Sequence, residues 1–109
     1  MADTLTPMSL KLIEAGGTII ARYSGLGLRR STGLMRQCTL LAFRDTGEDP
    51  AAIVQHPIPV RLKVIHSTFD HVRAMLANEN VASSTIDTIV GECLELYRNI
   101  RGVDGGKQD

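Results

Sequence analysis

"TIIARYSGLGLRRSTGLMRQCTLLAFRD", residues 18–45, decides how this chain folds. Both ends are apolar. The middle holds Gly25, Gly27 and Gly33 together with Arg29, Arg30 and Arg36, and no acid precedes Asp45. By strand preference, "TIIARYS" (18–24) is β-branched and aromatic. "RQCTLLAFRD" (36–45) is apolar on both faces, as a central strand is. The segment between them then reads in one of two ways. It is the tip of a β-hairpin, whose glycines supply positive φ and whose arginines stand in water. Alternatively, it is a flexible backbone from which Arg29, Arg30 and Arg36 fork onto an anion.

The anion reading has no established motif behind it. A dinucleotide fingerprint needs G-x-G-x-x-G after a strand, and Arg30 stands where the third glycine belongs. The lysine of a phosphate-binding P-loop is absent as well. "RRST" resembles a basophilic kinase site at Thr32, a four-letter pattern common by chance.

Outward from this stretch, "PVRLKVIHS" (59–67) alternates Val60, Leu62 and Val64 with Arg61 and Lys63, which predicts a strand with one wet face. Pro57 and Pro59 place its start at an edge or bulge. On the N-terminal side, Thr6-Pro7 is a helix start, and "PMSLKLIEA" ends at Gly16-Gly17, suited to a left-handed cap. A hairpin joining "LKLIEA" to "TIIARYS" through the two glycines competes with that short helix.

The last third is helical. Ser67 with Asp70 looks like a capping box opening a helix that carries Phe69, Val72 and Leu76 on one face. Ser84 with Asp87 repeats the device. It opens a helix striped by Ile86, Ile89, Val90, Cys93, Leu94, Tyr97 and Ile100. The expected fold class is therefore α+β. A small antiparallel sheet of three to four strands is covered on one face by a C-terminal helical hairpin, with a short helix in front. Residues 1–102 form the single domain and 103–109 a disordered polar tail.

Composition bounds the function. With 109 residues, 43% hydrophobic and 22% charged, the chain has the profile of one soluble domain with its own core. No apolar run approaches the ~20 residues of a membrane helix, and "MADTLTPMS" does not resemble a signal peptide. A cytoplasmic location without a membrane partner is expected. Cys38 and Cys93 lack metal or redox spacing and read as two buried free thiols.

Net charge is zero, but its distribution is uneven. Residues 15–44 carry Arg22, Arg29, Arg30, Arg36 and Arg44 and no acid; residues 67–96 carry Asp70, Glu79, Asp87, Glu92 and Glu95 against Arg73. Such a dipole favours self-pairing or an acidic partner. The absence of tryptophan leaves nucleic acid only weak, nonspecific binding through the basic segment and the Arg61/Lys63 face.

No catalytic set emerges. His66 and His71 lack a ligand arrangement, so neither a metal nor another cofactor is expected. Cys38 near arginines invites a lowered pKa, though it lies in the most apolar segment. Glu92 and Glu95 read as solubilising. Gly91 inside the last helix costs about 1 kcal/mol relative to alanine, which points to a close neighbour. With Leu96 and Val103 it outlines a homodimer contact.

The functional expectation is a non-enzymatic binding or adaptor protein, a homodimer, that meets an acidic protein through Arg29, Arg30, Arg36, Gly25 and Gly27. The alternative is a module or minor enzyme for a small phosphate- or carboxylate-bearing ligand, with a pocket between sheet and helices.

Overall fold

Thr6 opens the first helix as its sequence predicts. Its backbone is extended, its Oγ1 accepts from the Ser9 N–H at 3.2 Å, and Pro7 follows in the first turn. The helix does not stop at Gly16-Gly17. In the computed structural model, which describes residues 5–99, α1 runs Pro7–Ser24 and contains all of "TIIARYS". α2 spans Leu28–Thr46, a 3-10 helix Pro50–Gln55, α3 Ile58–Asn78 and α4 Ser83–Asn99. The expected α+β class is thereby overturned. Segments 18–24, 36–45 and 59–67 all lie within helices, and the described residues contain no strand.

The reason begins at the two glycines. They are not a cap but a point of close approach. A Cβ on Gly17 would lie 2.6 Å from Thr32 Oγ1 and 2.7 Å from Thr32 Cα, that is, inside the backbone of α2. A Cβ on Gly16 would lie 3.0 Å from the Tyr97 hydroxyl oxygen and 3.1 Å from the Met35 sulfur. Glycine inside a helix costs about 1 kcal/mol per residue relative to alanine. Here the loss is set against closure of α1 on α2, which buries Ile13, Ile20 and Met35 in one core. Full burial of side chains of that size contributes roughly 1.5–3 kcal/mol each.

The left-handed cap falls about two turns later, at Gly25, whose φ is 82°. After it, Ser24 Oγ accepts from the Leu26 N–H at 3.1 Å, and Gly27 stands at the N-cap of α2 with extended backbone. The expected hairpin tip is therefore a tight connection between two helices, with Arg29 and Arg30 in the first turn of the second.

Within α2 the buried positions are Ser31, Met35, Cys38, Thr39, Ala42 and Phe43, which recur at helical spacing. The half-buried Leu40 and Leu41 fill in the remaining positions and make the segment look apolar on both faces. Thr39 and Thr46 satisfy their hydroxyls by donating to Met35 O and Ala42 O, each at 2.8 Å.

α3 was obscured by its prolines. Pro57 is its N-cap and Pro59 sits in its first turn, where a missing N–H breaks no helical bond. The alternation expected for 59–67 does not survive, since Val64 is buried while Leu62 is exposed. Ser67 lies inside α3, so no capping box forms there. The helix ends at Glu79, with Asn80 left-handed at φ 66° and the Val81 N–H reaching back to Leu76 O at 3.0 Å.

α4 carries the expected stripe: Ile86, Ile89, Val90, Cys93 and Tyr97 are buried and Leu94 half-buried. Ile100 lies outside the described residues, as do Val103 and the proposed tail. Asp87 does not cap through Ser84; it takes Arg73 Nη1 at 2.7 Å and ties α4 to α3.

Each helix touches the next around a ring, α1 to α2 to α3 to α4 and back to α1. The main core joins all four, with Phe69 and Tyr97 in a tilted ring contact at 5.5 Å between centroids. The Tyr97 hydroxyl donates to Leu12 O at 2.7 Å and pins α4 to α1. A smaller cluster, Ala42, Phe43, Ile53 and Val64, closes the 3-10 end.

Two alanine substitutions separate packing glycines from tolerated ones. Gly17→Ala forces Thr32 away and should lower stability by about 1–3 kcal/mol, the usual cost of overpacking. Gly91 is exposed with open space at its Cβ position, so Gly91→Ala should raise stability by about 0.5–1 kcal/mol. Urea melts of both variants check this; a neutral Gly17→Ala would contradict the close approach.

Candidate binding pocket

The residues expected to grip an anion are not gathered into a cradle. Gly25 and Gly27 contribute only backbone at the α1–α2 connection. Arg29 is exposed on the first turn of α2, and Arg30 beside it swings to Glu79 Oε1 at 2.6 Å. Arg36 lies almost two turns further on and is itself engaged in an interaction. α2 thus begins with two cations and no acid, against the sense of its own dipole. Of the proposed dimer residues, Leu96 is half-buried against the main core and Gly91 is exposed.

The structure instead forms an apolar pocket at the level of the 3-10 helix. Met8, Ser9 and Leu12 of α1 form one wall, and Thr39 and Phe43 of α2 another. Arg61, Val64, Ile65 and Thr68 of α3 face them, with Ile53 and Tyr97 closing the ends. The pocket is partly open to solvent and its room is about 60 Å³, several times the ~10–15 Å³ a single water requires and short of the ~150 Å³ that admits benzene.

Arg61 is the only charged residue among the described residues lining this space. Its Nε is buried without a hydrogen-bond partner, and no ion pair is made by its guanidinium among the described residues. A buried donor left unmade costs about 1–3 kcal/mol, more when it is charged. The other polar groups do not accept from it; Ser9 Oγ instead accepts from Thr6 Oγ1 at 3.2 Å. The hydroxyls of Thr39 and Thr68 donate to Met35 O and Val64 O within their own helices, and that of Tyr97 donates to Leu12 O. Burial also raises the Tyr97 pKa, keeping the phenol neutral.

Arg61 owes this position to helical periodicity. On α3, residues 61, 64, 65 and 68 share one face. Read with a period of two, the same arginine belongs to a wet sheet face. That is why the sequence reading placed Arg61 in solvent and missed the pocket.

Other candidates resolve into structural roles. Both cysteines are free and buried, and desolvation pushes the Cys38 and Cys93 thiols up to about 12. Cys38 is therefore the reverse of an activated nucleophile; its Sγ lies 3.6 Å from Met75 Sδ. Glu92 does more than solubilise, because it accepts from the Tyr23 hydroxyl and pairs with Arg22 at 3.5 Å. Histidines form no metal cluster among the described residues. His71 Nε2 donates to Asp45 Oδ2 at 2.7 Å, linking α3 to the end of α2.

No family model, curated protein or solved structure matches the chain, so the class it defines is stated from its own geometry: a four-helix domain with an interhelical pocket. No helix among the described residues is long and apolar enough to cross a membrane.

The His71–Asp45 link has a pH signature. The hydrogen bond from His71, with Arg44 adding to it, holds the Asp45 carboxyl below the usual carboxylate range. Its folded value lies below its unfolded one, so the stabilisation is complete above the unfolded value and lost as pH falls through the folded one. Asp45→Asn should therefore melt below wild type near neutrality, and the gap should close on acidification. A gap independent of pH would contradict the assignment.

Proposed function

We propose that this chain is a small ligand-binding module whose pocket, between α1, α2, α3 and the 3-10 helix, takes an apolar molecule bearing an anionic group. The observation that carries this reading is Arg61 Nε, buried at an apolar pocket with nothing to donate to. Apolar walls with a few convergent polar groups are the usual anatomy of a ligand site. A half-buried cation whose Nε lacks a partner favours negative charge beside it. The described lining residues include no histidine, cysteine, aspartate or glutamate, in keeping with binding rather than catalysis.

A second reading, pairing of two copies across α4, is favoured by Gly91. It sits in a helix interior, exposed, with nothing of its own chain near its Cβ position. A second copy packed there would turn the expected gain from Gly91→Ala into a loss.

Saturable binding of xenon, an apolar probe small enough for the space, tests the pocket through the methyl resonances of Val64 and Ile65. Val64 is buried in its wall, so Val64→Phe fills the space. Wild type should show one saturable site, and the variant, still melting cooperatively, should lose it. Equal xenon-induced shifts of Ile65 in both proteins would remove the pocket from consideration.

A further inference from the structure

The ligand's anionic group can be narrowed by counting charges and protons at the pocket. Arg61 supplies the single positive charge. The hydroxyl protons of Thr39, Thr68 and Tyr97 are already committed to backbone carbonyls, and Ser9, whose Oγ accepts from Thr6, brings one neutral hydroxyl donor but no charge. A phosphate monoester, close to a dianion at neutral pH, would bring a second negative charge that nothing in the lining neutralises. An alcohol would accept one hydrogen bond and leave the guanidinium charge unpaired. A carboxylate carries one charge and two acceptor oxygens in a plane. That matches the side-on fork of Nε and a neighbouring guanidinium nitrogen.

We infer that the pocket is selective for apolar monocarboxylic acids, the carboxylate paired side-on with Arg61 and the tail lying among Phe43, Ile53, Val64 and Ile65. The inference rests on the ligand-binding reading of the same pocket and specifies its substrate class. It assigns a role to a residue whose Nε makes no hydrogen bond among the described residues. It also accounts for an apolar cavity that keeps one buried charged donor unsatisfied, a combination the fold alone gives no reason to retain.

The experiment is calorimetric titration at neutral pH with the short-chain acids propionate through hexanoate, the alcohols of matching length, and the matching alkyl phosphates. The proteins are wild type, Arg61→Met and Arg61→Lys. In wild type the best acid should bind about tenfold or more tighter than its alcohol, as expected for a charge-assisted pair. Arg61→Met should bind acid and alcohol alike. Arg61→Lys, which keeps the charge but loses the fork, should retain only part of the preference. In nitrogen-resolved spectra the Arg61 Nε–H signal should move on addition of acid and stay in place with alcohol. That readout does not depend on how a variant folds.

Alcohol binding as tightly as acid in wild type would overturn the carboxylate assignment while leaving the pocket standing. So would alkyl phosphate binding more tightly than acid. No binding by any series, together with failure of the xenon test, would overturn the pocket itself.

Discussion

α1 and α2 meet backbone to backbone at Gly17 and Thr32, and the rest of the architecture depends on that contact. A side chain at residue 17 would overlap the Thr32 Cα, so only glycine allows the two helices to close. Once they do, Gly16 leaves room beside it for Met35 and for the Tyr97 hydroxyl. That hydroxyl in turn bonds Leu12 O and fixes α4 against α1. One absent Cβ thus sets the α1–α2 separation, and its neighbour admits the residue that positions α4. Local propensity opposes two glycines in mid-helix; tertiary packing overrides it.

The pocket is a consequence of the same arrangement. α1, α2 and α3 draw together around the main core, while a smaller cluster under the 3-10 helix closes the other end. The space left between these clusters is lined by apolar side chains, by the hydroxyl-bearing Ser9, Thr39, Thr68 and Tyr97, and by Arg61. Apolar surroundings give the free Nε its energetic weight, because in water the same guanidinium would have partners without any ligand. Charge elsewhere is arranged differently: Arg30 with Glu79, Arg73 with Asp87 and Arg22 with Glu92 pair at the exposed rim between helices. Such pairs contribute little each, about 0–1 kcal/mol, and serve orientation more than stability.

How much of this was legible depended on which period governed each segment. The α4 stripe could be read directly, because seven apolar residues at helical spacing have no strand interpretation. The Thr6-Pro7 start was legible too, being a local device. Residues 18–24 and 36–45 were not, since β-branched and apolar residues on several faces suit a strand or a buried helix equally. What decided between them was the contact of Gly17 with a residue fifteen positions away, which no local signal reports. Pro57 and Pro59 carried an ambiguous message of the same kind: a strand edge and a helix first turn both tolerate a missing N–H. The error at 59–67 then hid Arg61, whose neighbours on a helix are Val64, Ile65 and Thr68 rather than Lys63 across a wet face. The basic segment was read correctly as charge and wrongly as a loop, because Gly25 is a helix cap and Arg29 and Arg30 begin the next helix.

Proton distances between α1 and α2 in solution test the central claim most directly. The account predicts strong nuclear Overhauser contacts from the Gly17 α-protons to Thr32, within two stretches whose chemical shifts are helical. Cross-strand contacts between residues 18–24 and 36–45, with extended chemical shifts, would instead restore the hairpin and contradict the helical fold from which the pocket follows.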